Sequence, residues 1–174
     1  MNDNSEDELR LLADEAALRR LVGRYGEVID WLDWDRMTDL FWDDAAFDFG
    51  MFKGNLAEYR EFVVNLEEGY RRRLHMFTMP VIDVKGDSGR VDVGSIIVCR
   101  TDNDAHGVDD VFYGRYLFPA ERRGGVWKLC GLTYLFSLIE HTEREFGDNG
   151  MPMNFAEDMV PAHPLSRRNW LTDH

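Results

Sequence analysis

Hydrophobic side chains in the first part of the chain recur at the spacing of one helical face. The stripe consists of Leu11, Leu18, Val22, Tyr25, Ile29 and Leu32. Charged residues such as Glu15 and Arg19 lie largely elsewhere on the same helical wheel. This separation is typical of an amphipathic helix. Because Ser5 is a suitable N-cap, the pattern predicts a long helix over about residues 6–32.

Shorter elements are predicted to follow this helix. Asp33 is suited to cap a second, short helix that carries Met37 and Phe41 on its apolar face. Residues 45–49 have the composition of a short strand, and residues 50–54, which begin and end with glycine, are expected to form a turn or a second short strand.

A third helix is predicted to begin after Asn55, which can serve as its N-cap, and to extend to about Arg73. Its inner face would consist of Tyr59, Phe62, Val63, Leu66 and Tyr70.

The hydrophobic period then changes from helical to alternating, which is the pattern of β-strands. Four strands are predicted, over about residues 74–84, 90–101, 109–119 and 126–138. The segments 85–89 and 122–125 contain the glycines that hairpin turns require, so the four strands are expected to form an antiparallel meander. Three helices before such a sheet predict an α+β fold in which the helices cover one face of the sheet.

Composition limits the class of protein. A chain of 174 residues is suited to one domain, and its 22 aromatic residues can supply both a core and a pocket. The net charge of −13 argues against binding to nucleic acid or to an anionic membrane surface. No run of apolar residues approaches the length of a membrane span, and the N-terminus does not resemble a signal peptide. We therefore expect a soluble, cytoplasmic protein, with Cys99 and Cys130 as reduced thiols.

Several stretches of the sequence together resemble one known superfamily. They are the run from Tyr25 to Asp35, residues 40–47 (Leu-Phe-Trp-Asp-Asp-Ala-Ala-Phe), residues 52–54 (Phe-Lys-Gly), the histidine that opens the first long strand, and residues 121–128 (Glu-Arg-Arg-Gly-Gly-Val-Trp-Lys). Over about residues 10–138 the chain resembles the NTF2-like, or SnoaL-like, superfamily. The resemblance implies a cone-shaped α+β barrel, in which three N-terminal helices pack on a curved, mainly antiparallel sheet.

Within that superfamily the chain looks most like the branch of scytalone dehydratase and hexachlorocyclohexane dehydrochlorinase. Those enzymes pair an Asp at the end of the first helix with a His on the first long strand. Placed by motif, the pair is Asp30 and His75, with Asp33 as the other candidate for the partner of His75. The resemblance implies general-base elimination without a cofactor, in which neutral His75 removes a proton and the aspartate orients the imidazole. From the alternating pattern alone, a single His on an apolar strand face is more often a core residue than a catalytic one.

Two departures from the dehydrochlorinase alter the expected reaction. That enzyme has a Lys five positions before its Asp and an Arg on its last strand, whereas this chain has Tyr25 and Leu132 at those places. Loss of both cations makes chloride elimination a poor expectation. A phenol at Tyr25 is instead suited to hydrogen-bond a substrate oxygen, which favours a dehydratase or isomerase that acts on a small hydrophobic, cyclic carbonyl compound.

Further residues are candidates for the pocket. Phe47, Phe112, Tyr116 and Tyr134 are predicted to point inward and to contact substrate together with Tyr25, although core packing would explain the same pattern. Gly114 on that face would leave room or let the sheet bend. The aspartates near residue 33 match no calcium-binding loop, so no metal is predicted.

The organisation of the whole chain is predicted as a SnoaL-like domain over residues 1–140 and a tail over residues 141–174. The tail has no clear period and is interpreted as a flap over the pocket or as an arm onto a second subunit. The resemblance implies a homo-oligomer, a dimer or a trimer. The same superfamily also contains domains that only bind ligands or support assembly, so a non-catalytic function is the alternative hypothesis. A hydrogen-bonded pair of Asp30 and His75 would favour the enzyme.

Overall fold

The elements of the fold follow the predicted order. The computed structural model describes residues 3–103, 106–145 and 159–170. The helices are α1 (Asp3–Asp30), α2 (Trp34–Asp39), α3 (Leu56–Glu67) and α4 (Arg167–Trp170). The strands are β1 (Phe41–Asp48), β2 (Lys53–Asn55), β3 (Arg72–Phe77), β4 (Val81–Lys85), β5 (Ser88–Asn103), β6 (His106–Arg123) and β7 (Val126–Glu145).

All seven strands belong to one sheet with the order β2-β1-β7-β6-β5-β3, and β4 pairs with β5 beyond the end of β3. Strands β5, β6 and β7 form the predicted antiparallel meander. The pair of β1 and β7 is parallel, so the sheet is mixed. Register shifts within β6 and β7 mark bulges, which bend a sheet and increase its twist.

Several predicted boundaries are wrong. Ser5 lies inside α1, which begins at Asp3, so it is not the N-cap of that helix. The predicted strand over residues 74–84 is two strands, β3 and β4, which pair with successive parts of β5. Between them Thr78 reaches across to Gly94, and Pro80 has no N–H to give to a ladder. Helix α3 ends at Glu67 rather than near Arg73, because residues 72–77 pair with β5 instead. Phe41 begins β1 and does not belong to the short helix α2.

Side-chain caps define where the two shorter N-terminal helices begin, as predicted. The Asp33 carboxylate accepts a hydrogen bond from the backbone N–H of Arg36 at the start of α2. Asn55 and Glu58 form a complete capping box at the start of α3. These caps set the directions in which α2 and α3 leave the sheet.

The core lies between the helices and the concave face of the sheet. Most of the predicted stripe on α1 is buried there, including Leu18, Val22, Tyr25 and Ile29. Leu11 is exposed near the start of α1, and Leu32 lies past its end with a positive φ of 52°. Large apolar side chains also remain exposed on the sheet and its edges: Leu74, Met76, Ile96, Leu135 and Leu138.

The predicted tail begins as part of strand β7 and ends as a segment that packs against α1. Strand β7 continues through residue 140 to Glu145, and residues 146–158 lie outside the described part of the chain. Residues 159–170 then lie against the C-terminal end of α1. None of the helices in the described ranges is long and apolar enough to span a membrane.

Candidate active site

His75 and Asp30 come from different elements and meet in the interior. His75 is the fourth residue of β3 and lies opposite Ile97 of β5, while Asp30 is the last residue of α1. The His75 side chain is 2% exposed and the Asp30 side chain 11% exposed. The end of α1 therefore delivers a carboxylate to an edge strand whose histidine points inward.

Three contacts join the two residues. His75 Nδ1 lies 2.8 Å from Asp30 Oδ1. The backbone N–H of His75 donates to the same carboxylate, at 3.0 Å to Oδ1 and 3.1 Å to Oδ2. Because an ionised carboxylate can only accept, the ring proton of neutral His75 belongs on Nδ1. Nε2 is then the atom with a free lone pair, which is the tautomer that a general base needs.

The surroundings of His75 make it a stronger base than free imidazole. Burial by itself disfavours the imidazolium and lowers the pKa of His75. The hydrogen bond to Asp30 and the negative charges of Asp30 and Glu67 act in the opposite direction and outweigh burial. The pKa of His75 is therefore raised above its ordinary value of 6.5.

Asp33, the other candidate partner, has different contacts. Besides capping α2, its carboxylate lies 3.5 Å from Arg36 Nη1 and accepts a hydrogen bond from Arg168. The carboxylate that the structure brings against His75 is that of Asp30.

Tyr25 lies in the aromatic core and is 2% exposed. Its hydroxyl is 2.6 Å from the hydroxyl of Tyr59, and its ring packs edge-on against Phe41, Tyr116 and Phe118. Burial raises the pKa of Tyr25, so the phenol remains a neutral hydrogen-bond donor. Its role toward a substrate stays a prediction, and Tyr59, predicted only as a core residue, is its hydrogen-bond partner.

The other predicted pocket aromatics form a chain of ring contacts. Phe47 stacks on Tyr59 with centroids 4.0 Å apart, and Tyr116 lies 4.5 Å from Tyr134 and 6.4 Å from the His75 ring. Phe112 is partly buried and packs against the core from the adjoining part of β6. The structure thus places the Tyr116 ring beside the His75 ring, and Phe112 lies in the same row of the sheet as His75, because both residues pair with Ile97.

Gly114 leaves room for a neighbouring ring, as predicted. A Cβ at this position would lie 2.5 Å from the Tyr134 hydroxyl and 2.5 Å from the backbone oxygen of Leu135. The register of β6 and β7 also shifts between Tyr113 and Gly114.

A groove of about 490 Å³ reaches the pair from the side of α1. Asp30 and His75 line it, together with Gly23, Phe77 and two residues of the C-terminal segment, Leu165 and Arg167. None of the five predicted substrate-contacting aromatics lines this groove. The sequence did not point to the contribution of Leu165 and Arg167, because no period connects the tail to α1.

A buried ion pair lies close to Asp30 and His75. Arg73 and Glu67 are 5% and 6% exposed, and Arg73 Nε is 3.4 Å from Glu67 Oε2. Neither residue was among the predicted site residues. Arg73 precedes His75 by two positions and so shares its face of β3, which is the signal that could have identified it.

The remaining polar groups give little support to other chemistry. Within the described ranges, no group of three or more His, Cys, Asp or Glu side chains is arranged to hold a metal ion. Cys99 and Cys130 are free thiols, and burial raises the pKa of Cys130 to about 11. His141 is an exposed residue paired with Asp110, and the side chain of His106 lies outside the described part of the chain.

Comparison with known proteins defines the family. Residues 10–133 match the SnoaL-like domain family, so this chain belongs to it and has the cone-shaped α+β fold of NTF2-like proteins. No protein in a set with curated descriptions matches the sequence.

Solved structures of several proteins share the fold. A type 3 hexachlorocyclohexane dehydrochlorinase from Novosphingobium barchaimii is 21% identical, with a TM-score of 0.69 over 78% of this chain and 94% of that one. A provisionally assigned scytalone dehydratase from Novosphingobium aromaticivorans is 17% identical, with a TM-score of 0.67 over 82% and 97% of the two chains. A provisionally assigned aromatic ring hydroxylase from the same organism is 25% identical, with a TM-score of 0.68 over 75% and 94%.

Proposed function

We propose that this protein is a cofactor-independent lyase of the dehydratase type, or an isomerase, that acts on a small hydrophobic cyclic carbonyl compound. The observation that carries the proposal is the 2.8 Å contact between His75 Nδ1 and Asp30 Oδ1, buried beside aromatic side chains. The family and the dehydratase and dehydrochlorinase with the same fold support a reaction of this class.

The reaction follows from the tautomer that Asp30 imposes. Nε2 of His75 removes a proton from the carbon next to the substrate carbonyl, and the electron pair of that C–H bond forms an enolate. In a dehydratase, the enolate then re-forms the carbonyl and expels a hydroxyl group from the next carbon. The imidazolium gives its proton to that hydroxyl, so water leaves and neutral His75 is restored. In an isomerase, the imidazolium returns the proton to a different carbon.

Asp30 stabilises the charge that forms during the first step. Its carboxylate lies against Nδ1, so the positive imidazolium is paired as soon as the proton arrives. Because the His75 side chain is buried, its low-dielectric surroundings strengthen this interaction. Tyr25 is proposed to donate a hydrogen bond to a substrate oxygen. This role requires its hydroxyl to give up or share the contact with Tyr59.

A panel of cyclic β-hydroxy ketones tests the proposal, with formation of the conjugated enone followed by ultraviolet absorbance. Wild type is expected to dehydrate at least one compound, and His75→Gln to lose the activity. His141→Gln is a matched control, because His141 also contacts an aspartate, Asp110 at 2.6 Å, but is 63% exposed. If His75→Gln turns over the same compound as fast as wild type, His75 is not the base.

A structural role for the pair in a ligand-binding or assembly domain is the second candidate. The observation that favours it is the low exposure of the His75 side chain, 2%. A binding domain would hold compounds of the panel without converting them, and His75→Gln would then alter stability alone.

We further propose that residues 159–170 act as a flap over the groove. His163 packs on Trp31 with ring centroids 5.5 Å apart, Arg167 lies 3.6 Å from Glu27, and Arg168 bonds to Asp33. Arg168→Ala should release the segment, which faster amide hydrogen exchange over residues 159–170 would report. Unchanged exchange would argue against a role for this ion pair in holding the flap.

A homo-oligomer, a dimer or a trimer, is proposed to form through the exposed apolar side chains of the sheet. Leu74 and Met76 of β3 and Leu138 of β7 are 41–53% exposed, and both strands belong to the same sheet. Sedimentation equilibrium of wild type and of Leu138→Glu tests this proposal. A wild-type monomer would contradict it.

A further inference from the structure

The buried pair of Glu67 and Arg73 touches the backbone that holds Asp30 in place. Arg73 donates to the backbone oxygens of Asp30, at 3.4 Å, and of Glu67, at 2.9 Å. It also donates to the backbone oxygen of Tyr70. Asp30 and Glu67 are the last residues of α1 and α3, where the carbonyl groups have no partner within the helix and the helix dipole is negative. One guanidinium therefore joins the C-terminal ends of both helices next to the catalytic pair.

The Glu67 carboxylate is buried with incomplete hydrogen bonding. Its side chain is 8% exposed, and no hydrogen bond reaches Oε2 from the described residues. The distance of 3.4 Å to Arg73 Nε is an ion-pair contact without hydrogen-bond geometry. A buried carboxylate in this condition is strongly stabilised by any additional positive charge nearby.

Protonation of His75 can supply this additional positive charge, as the charges of Arg73, Glu67, Asp30 and His75 show. With Arg73 charged, Glu67 and Asp30 ionised and His75 neutral, the cluster carries a charge of −1. Burial raises the pKa of Glu67, whereas the positive charges of His75 and Arg73 lower it. When His75 takes up a proton, the cluster becomes neutral. Low-dielectric surroundings favour the neutral arrangement.

Other charged or titratable groups face His75 from the elements packed around it. They are Asp30 and Glu27 of α1, Glu67 of α3, Arg73 of β3, Tyr116 of β6 and Arg167 of the C-terminal segment. Glu27 lies 3.6 Å from both Arg167 and Arg36 of α2, and Tyr116 is a neutral phenol because burial raises its pKa. Glu67 and Asp30 are therefore the negative charges that act on His75.

We infer that Glu67 and Arg73 are positioning residues for the Asp30–His75 pair. Arg73 holds the backbone of Asp30, and Glu67 supplies the buried negative charge that makes the cluster neutral only when His75 carries a proton. The catalytic consequence of this role, a stronger base at His75, rests on the proposed function. The protonation behaviour itself exists without any substrate.

The titration of His75 tests the inference in the free protein. The ring protons of the five histidines are followed by NMR from pH 4 to pH 10, and the spectrum of His75→Gln identifies the resonance of His75. In Glu67→Gln the titration midpoint of His75 is expected to move to lower pH. Glu67→Asp, which keeps the charge, should leave the midpoint closer to that of wild type. Glu61→Gln, an exposed position earlier on α3, should leave it unchanged.

A folded Glu67→Gln protein with the wild-type midpoint would overturn the inference. If this variant fails to fold, the double variant Glu67→Gln/Arg73→Met removes both buried charges and leaves no unpaired ion. Its midpoint should still lie below that of wild type, because the variant loses both the carboxylate that raises the pKa of His75 and the hydrogen bond that holds the backbone of Asp30. A midpoint at or above the wild-type value in the double variant would also overturn it. Turnover is not measured, so failure of this test is distinct from failure of the proposed reaction.

Discussion

Replacement of Asp30 by Asn is predicted to destabilise the protein by an amount that depends on pH. Asn has the shape of Asp but no charge, and its single amide oxygen can replace only part of a carboxylate that meets both the His75 ring and its backbone N–H. The loss of one charge-assisted hydrogen bond corresponds to about 1.5–3 kcal/mol. Asp30→Asn should therefore lower the free energy of unfolding by about that amount near pH 6.

The sign of the pH dependence follows from His75. Its pKa is raised in the folded wild type, so this group contributes stability that is complete below its unfolded pKa of about 6.5 and is lost as the pH rises through the folded value. Asp30→Asn removes the carboxylate that raises the pKa. The stability difference between the two proteins should thus be largest below pH 6.5 and should shrink at alkaline pH.

Urea unfolding of both proteins at several pH values measures this difference. With a typical dependence of about 1–3 kcal/mol per molar urea, the midpoint near pH 6 should fall by about 1 M. Asp110→Asn, which removes the partner of exposed His141, is the control and should change stability by only about 0–1 kcal/mol. A difference for Asp30→Asn that is constant with pH would refute the reasoning about His75, even if its average size were correct.

Four further substitutions test the packing around the site, three of them by thermal or urea unfolding. Gly114→Ala should destabilise the protein by about 1–3 kcal/mol, because its Cβ would lie 2.5 Å from the Tyr134 hydroxyl; unchanged stability would contradict the close contact. Tyr25→Phe should cost about 1–3 kcal/mol by leaving the buried Tyr59 hydroxyl without its partner, and a stability gain would mean that this contact is unimportant. Gly23→Ala should stabilise α1 by about 1 kcal/mol, since a Cβ there meets nothing within 4 Å. Gly23→Leu would add a side chain where the groove passes α1, so it should reduce turnover more than stability.

The helices and the meander could be predicted because local sequence patterns determine them. The stripe from Leu18 to Ile29 specifies a buried helix face, and the capping side chains of Asp33 and Asn55 define helix starts within a few residues. The predicted end of α3 was wrong, although Gly69, which follows the C-cap Glu68, is a local stop signal; the rest of the error has a non-local reason. Arg72 and Arg73 have no intrinsic preference that excludes a helix, and it is their pairing with β5 that makes them a strand.

The site was only partly predictable for the same reason. The pattern makes His75 an inward-facing residue on an apolar strand, and the family resemblance then selects Asp30 as its partner, which the hydrogen bond between them agrees with. Two features depend on contacts between segments far apart in the chain. These are the buried ion pair of Glu67 and Arg73 and the groove wall formed by Leu165 and Arg167. The hydrogen bond of Tyr25 to Tyr59 joins residues 34 positions apart, and no local pattern indicates such a pairing.

The most direct test of the central claim is exchange of substrate-like protons for deuterium. Cyclic ketones and β-hydroxy ketones are incubated in D₂O with wild type, His75→Gln or the control His141→Gln, and loss of the proton signal next to the carbonyl is followed by NMR. If His75 is the base, wild type and His141→Gln accelerate exchange in at least one compound, and His75→Gln is slower by about 10²-fold or more. Equal exchange with wild type and His75→Gln would contradict the assignment of His75 as the proton-abstracting residue.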